Sequence, residues 1–174
     1  MTEILDWTYK ATEIPASYLD GEREATDAER DALAAELGLL VLSRLSSKFR
    51  IKAVAGGGYR LVGTISAALE QPCVVTLEPV ASTISAAYDV EFRPEAEKGS
   101  DDEDGDVSVL SGPDFDVLER GIIPVGRIVF ETLSGSLDPY PRKRDAEFKW
   151  SDPQAAGEEK LSPFAALSKL KSKD

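Results

Sequence analysis

Leu45-Ser46-Ser47-Lys48-Phe49-Arg50-Ile51-Lys52-Ala53 reads with a period of two. Leu45, Ser47, Phe49, Ile51 and Ala53 fall on one side of it. Arg44, Ser46, Lys48, Arg50 and Lys52 fall on the other. Successive side chains of a strand point to opposite faces, so this pattern predicts a strand with one face toward a core and one toward water. Ala55-Gly56-Gly57-Gly58 follows as a turn, since glycine accepts positive φ without a steric cost. Tyr59, Leu61, Gly63, Ile65, Ala67 and Leu69 then alternate again, with Arg60 on the polar side, which predicts a β-hairpin. A second pair is expected downstream: a strand at Cys73–Leu77, a turn at Glu78-Pro79-Val80, then Ile84, Ala86, Tyr88, Val90 and Phe92 at period two. Four or five antiparallel strands in a row predict a meander or a partly closed barrel.

On the N-terminal side, Trp7–Ala11 alternates as a short strand that Ile14-Pro15 ends, and Asp20-Gly21-Glu22 reads as a turn. Thr26-Asp27-Ala28-Glu29 is a capping box, Leu33 and Leu37 lie one helical turn apart, and Gly38 supplies a stop. A helix is therefore expected over about 27–37. On the C-terminal side the period returns to 3.6. Pro124 suits a first turn, Val125, Ile128, Val129, Leu133, Ser136 and Leu137 form one face, and Asp138-Pro139 ends the run. This predicts a helix over about 124–137 packed on the sheet. Phe49, Leu61, Ile65, Ile84, Tyr88, Val129 and Leu133 are expected to be buried together.

Charge is unevenly spread. Residues 95–119 hold ten acidic side chains and one basic one, so they carry −9 of the chain's −12. Glycines punctuate the segment and it has little to bury, so a solvated, mobile loop is expected. The architecture expected is α+β: one domain over residues 1–150, built from an antiparallel sheet, two packed helices and the long acidic loop. A polar tail, 151–174, would follow with a possible short helix opened by Ser162-Pro163. At 174 residues with 42% apolar and 30% charged content, the chain can bury a real core.

A single Cys cannot form an intramolecular disulfide, and the start Met1-Thr2-Glu3-Ile4 does not resemble a signal peptide. A cytoplasmic, non-membrane protein is the expectation. The chain has no His. That removes the commonest general base, the commonest metal ligand and every Ser-His or Cys-His pair, and it argues against an enzyme.

The features that could carry chemistry are few. Arg44, Lys48, Arg50 and Lys52, with Arg60 on the next strand, would line one strand face. A strand repeats a face about every 7 Å, near the spacing of phosphates along a nucleic-acid strand. The bland reading is the polar outer face of a one-sided sheet. Arg142, Lys143 and Arg144 follow Pro139-Tyr140-Pro141, and bases beside an aromatic can pair with and stack on RNA, or merely solubilise a helix end. Phe164, Leu167 and Leu170 make an apolar stripe that could dock on a partner. Cys73 has no second soft ligand nearby in sequence and reads as a buried, inert strand residue. The acidic segment lacks the EF-hand spacing, so no metal or cofactor is expected.

The run Gln71-Pro72-Cys73-Val74-Val75-Thr76-Leu77-Glu78-Pro79, with the alternating strand ending Phe92-Arg93-Pro94, resembles the central motif of the YceD family of bacterial proteins, named for accumulation of large-subunit ribosomal RNA. The acidic loop, Asp138-Pro139-Tyr140-Pro141 and Pro163-Phe164-Ala165-Ala166-Leu167 resemble one branch of it, and the likeness runs from about residue 5 to 170. Many members carry a second Cys where this chain has Thr76, so a metal role suspected for them does not carry over. The resemblance implies a non-catalytic role in large-subunit ribosomal RNA biogenesis, through RNA or a pre-ribosomal particle, with basic ribosomal proteins as further partners. A protein-only adaptor docking through Phe164, Leu167 and Leu170 is the alternative.

Overall fold

A computed structural model of the chain describes residues 4–94 and 114–148. The long hairpin is its centre. β3 (Val41–Ala53) and β4 (Tyr59–Pro72) pair antiparallel from Val41 opposite Glu70 to Ala53 opposite Tyr59. Gly56 and Gly57 make the turn between them with φ of 80° and 78°, conformations that L side chains rarely adopt. Leu45, Ser47, Phe49 and Ile51 point inward and are buried, as are Leu61, Gly63, Ile65, Ala67 and Leu69. The pairing shifts register between Leu42 and Arg44. The extra residue, Ser43, donates from its hydroxyl to the Ala68 carbonyl at 2.9 Å. That bulge changes the phase of the strand, so Leu42 and Leu45 are both buried although they are three apart.

β5 (Pro79–Pro94) pairs antiparallel with β4, from Pro79 opposite Pro72 to Phe92 opposite Tyr59. β2 (Leu19–Glu24) pairs antiparallel with β3 on the other side. The sheet order is β2-β3-β4-β5, with β6 (Asp114–Leu118) added parallel to Val90–Pro94. The sheet is an open meander with a parallel edge strand, not a barrel. A separate two-stranded ribbon pairs β1 (Thr8–Lys10) with β7 (Ile122–Pro124).

Three expectations change here. Asp20-Gly21-Glu22 is strand, not turn, because β3 offers it a full ladder of partners. Cys73–Leu77 is turn, not strand: the Leu77 amide donates to the Cys73 carbonyl at 2.9 Å and closes the loop, with Leu77 at φ 61°. Asp114–Leu118 is strand although its composition groups it with the acidic loop. Residues 95–113 of that loop and the tail from 149 onward lie outside the described residues.

α1 (Asp27–Leu37) matches its expected bounds. Both halves of the capping box are formed, and Gly38 ends the helix at φ 65°. α2 (Val125–Ser136) starts directly after Pro124 and buries Val125, Ile128, Val129 and Leu133 against β4 and β5. Of the expected core, Ile84 is only half-buried; the other six members are buried.

One row of the inner face is unusual. Gly21, Phe49, Gly63 and Tyr88 stand opposite one another on β2, β3, β4 and β5. The Phe49 ring lies where a Cβ on Gly21 would sit, and the Tyr88 ring where one on Gly63 would. Tyr88 shares a 2.7 Å hydrogen bond with Ser47, whose hydroxyl reaches the Thr64 carbonyl at 3.2 Å. Each hydroxyl has one proton, so Tyr88 donates to Ser47 and Ser47 to the carbonyl. Among the described residues, no buried side-chain N or O atom lacks a partner.

Gly63→Ala should therefore destabilise the fold by about 1–3 kcal/mol, the usual cost of overpacking. The added methyl would meet the Tyr88 Cζ at 2.5 Å and the Lys48 carbonyl oxygen at 2.7 Å, and the second of these is backbone. Urea titration should show a lower midpoint with an unchanged slope. Leu133→Ala, at a fully buried site, should cost about 2–5 kcal/mol in the same assay.

Candidate functional site

β3 projects Arg44, Lys48, Arg50 and Lys52 from the outer face of the sheet, all exposed. Arg60 stands directly opposite Lys52 on β4. The five bases singled out in the sequence thus share one surface. They do not stand there alone. β2 sets Asp20 opposite Arg50 and Glu22 opposite Lys48. The Arg50 guanidinium donates to both Asp20 oxygens, at 2.6 and 2.9 Å, and lies 4.1 Å from the centre of the Tyr18 ring. The Arg50 hydrogen bond holds the Asp20 carboxyl below its ordinary range. Lys48 and Glu22 approach to 3.3 Å. Arg60 holds both oxygens of Asp89 on β5, at 2.7 and 2.5 Å, which raises its own pKa. Arg44 donates to the Ser66 hydroxyl at 3.2 Å. Among the described residues, Arg44 and Lys52 have no carboxylate within 4.0 Å.

Across β2 to β5 the outer face carries six bases and six carboxylates. Arg93 is the sixth base, 3.7 Å from the centre of the Phe115 ring and 3.0 Å from Glu91. The bases of this face stand out in the sequence of β3, whereas the acids of β2 do not. Their alternation, Asp20, Glu22 and Glu24 against Leu19, Gly21 and Arg23, is the period-two signal that would have found them.

Arg142, Lys143 and Arg144 lie at the other end of the sheet from Lys52 and Arg60, beside the turn that joins β4 to β5. The segment is held there by polar contacts. Gln71 donates to the Asp138 carbonyl at 3.0 Å, the Val74 amide to the Pro141 carbonyl at 2.9 Å, and Lys143 to Glu78 at 2.9 Å. Arg142 donates to the Ala146 carbonyl at 2.8 Å. Tyr140 is 76% exposed and Leu77 is 75% exposed, so both are available for contact. The stripe of Phe164, Leu167 and Leu170 lies outside the described residues.

Cys73 is buried within this turn. The Thr76 hydroxyl, the Lys143 amide and the amides of Thr76 and Val75 surround its sulfur, and they lower the thiol pKa to about 6 against the cost of burial. The Val75 amide donates to Sγ at 3.4 Å. The residue is buried as expected, but it sits in a turn, and its surroundings favour the thiolate. Among the described residues no three His, Cys, Asp or Glu side chains form a metal-sized group.

A thiol whose pKa falls on folding stabilises the fold fully above its unfolded pKa, and loses that contribution as pH drops through the folded one. The stability of wild type relative to Cys73→Ala should rise between about pH 6 and pH 9. Thiolate absorbance in the ultraviolet should titrate over the same low range in the folded chain. A midpoint above pH 8 would show that the hydrogen bonds to sulfur do not form.

Among the described residues no helix is long and apolar enough to cross a membrane. Neither a curated protein nor a solved structure gives a match to this chain. A family model does match: that of the large ribosomal RNA subunit accumulation protein YceD, over residues 61–171. The match covers β4, β5, β6, α2 and the segment that docks on the β4–β5 turn, more than half of the sequence. The chain belongs to the YceD family of large ribosomal RNA subunit accumulation proteins.

Proposed function

We propose that the protein promotes accumulation of large-subunit ribosomal RNA without catalysis, by holding RNA or an early assembly particle against the outer face of its sheet. The family description supports the biological role, because it names accumulation and not a reaction. The observation that carries the RNA contact is the placement of Arg44, Lys48, Arg50 and Lys52, all exposed, and the half-buried Arg60 on that one face. Arg142, Lys143 and Arg144, beside the exposed Tyr140 ring, extend the contact at the far end.

The ion pairs decide how such a face would bind. An exposed carboxylate pair contributes little, because both ions are well solvated, so a phosphate can replace the carboxylate. The exchange frees few counterions. Arg44 and Lys52, without carboxylate partners among the described residues, would release theirs on meeting phosphate. The acidic segment 95–119 would face basic ribosomal proteins or compete with RNA for the same bases.

The experiment is a salt titration of binding to a large-subunit ribosomal RNA fragment. Arg44→Gln with Lys52→Gln should weaken binding and flatten the plot of log K against log salt by roughly 1.4–1.8, at 0.7–0.9 for each contact. Lys48→Gln with Arg50→Gln should weaken binding but change the slope less. All four side chains face solvent, so the fold should persist. Equal affinity and slope in wild type and both double variants would remove this face as an RNA site and leave the protein-only adaptor as the working reading.

A further inference from the structure

We propose that the outer face of the sheet takes single-stranded RNA in preference to duplex, with unpaired bases stacked on Tyr18 and Phe115. The inference rests on the reading of that face as an RNA site and names the form of RNA it holds. The two rings mark opposite edges of the face. Tyr18 immediately precedes β2, and its ring centre lies 4.1 Å from the guanidinium carbon of Arg50. Phe115 of β6 stands opposite Glu91, and its ring centre lies 3.7 Å from the guanidinium carbon of Arg93. Glu91 in turn is opposite Arg60, and Arg60 is opposite Lys52. One row of side chains therefore crosses from β3 to β6 and ends on Phe115, with Tyr18 at the other edge. Four strand spacings separate β2 from β6, roughly 19 Å at about 4.8 Å each.

Neither ring serves the core. Phe49, Tyr88 and Phe92 are buried on the inner face, whereas Tyr18 is 46% exposed and Phe115 is 54% exposed. Ring surface thus remains beyond what each guanidinium covers. Covering it with a flat ligand removes apolar area from water, which is favourable. Asp20 holds the Arg50 guanidinium at two points, so Tyr18 meets a plane of fixed orientation. Unpaired bases stack on aromatic rings and on guanidinium planes alike, and a base on either ring would extend the stack its arginine begins.

The balance of charge makes stacking the deciding term. With six bases and six carboxylates on the outer face of β2 to β5, a phosphate backbone by itself gains little there. A duplex offers that backbone with its bases already paired and stacked on one another, so the rings add nothing to its affinity. An unpaired strand can set phosphates on Lys52 and Arg60 and still turn bases toward the rings. Each stacked base adds attraction that is independent of salt and tolerant of sequence.

The test measures binding of the full chain to three RNA probes of about twelve nucleotides. One is a mixed-sequence single strand without internal pairing, one is the same strand with its bases removed, and one is the duplex. Wild type should bind the intact strand about tenfold more tightly than either of the others. Tyr18→Leu with Phe115→Leu should weaken the intact strand about fivefold or more and leave the abasic strand unchanged. The salt slope should not move, because no phosphate contact is lost. Tyr18→Trp with Phe115→Trp keeps the stacking surface and should bind at least as tightly as wild type. Equal affinity for intact and abasic strands, or for strand and duplex, would overturn the proposal, as would undiminished binding in the Leu pair. The probe comparisons use wild type alone, so they decide the matter even if a variant unfolds. Arg44→Gln with Lys52→Gln should weaken all three probes. That result, joined to equal binding of the three by wild type, would keep the RNA face and remove the preference for single strands; failure of every probe to bind would overturn both.

Discussion

The row Gly21, Phe49, Gly63 and Tyr88 fixes the register of four strands at once. Each aromatic ring needs a neighbouring strand without a Cβ at that position. A one-residue slip of β2 would bring Asp20 or Glu22 under the Phe49 ring, and a slip of β4 would bring Val62 or Thr64 under Tyr88. Either slip would also turn a whole strand's apolar set outward. The pattern of charge on the outer face follows from this inner constraint. Because Gly21 is opposite Phe49, Asp20 is opposite Arg50 and Glu22 opposite Lys48. The ion pairs are thus a consequence of core packing, and they need contribute little energy themselves to be formed reliably.

The parts of the fold legible in the sequence were those with a local signal. The alternation of β3, β4 and β5, the capping box of α1 and the apolar stripe of α2 each depend on a few neighbouring residues. β2 was missed because Asp20-Gly21-Glu22 has turn composition, and its strand conformation comes from β3 and the Phe49 ring. Cys73–Leu77 misled in the opposite way. Its Val and Thr content favours a strand, but Pro72 and Pro79 face each other across the ladder and the six residues between must close the chain. β6 carries Asp114 and Asp116, which read as solvent loop. Asp116 is instead held by Arg127 of α2, and Phe115 by Arg93. Partners remote in sequence decided each of these segments.

The same distinction applies to the candidate site. That four bases alternate on one strand, and that a fifth faces them across a glycine turn, was readable from spacing alone. That Asp20, Glu22 and Asp89 stand beside them was not, since those residues come from strands about 30 residues away in either direction. The surroundings of Cys73 were equally hidden. The groups acting on its sulfur include Thr76 three residues on and the Lys143 amide, which arrives only because the chain after α2 folds back on the β4–β5 turn.

A face with equal numbers of bases and carboxylates has little field at a distance, because opposite charges cancel beyond about a Debye length, roughly 10 Å at 0.1 M salt. Such a surface would not steer a polyanion from afar, and the chain's net charge of −12 opposes it further. What the face offers is geometry. Arg50 and Arg60 are held in fixed orientation by bidentate carboxylates, and Arg44 and Lys52 stand at either end of the basic strand. Eight residues of extended chain separate those two, roughly 26 Å at about 3.3 Å per residue. An RNA strand on this surface would be gripped at two points and would trade partners between them. Partner exchange adds little net affinity, so the complex would remain easy to dissociate.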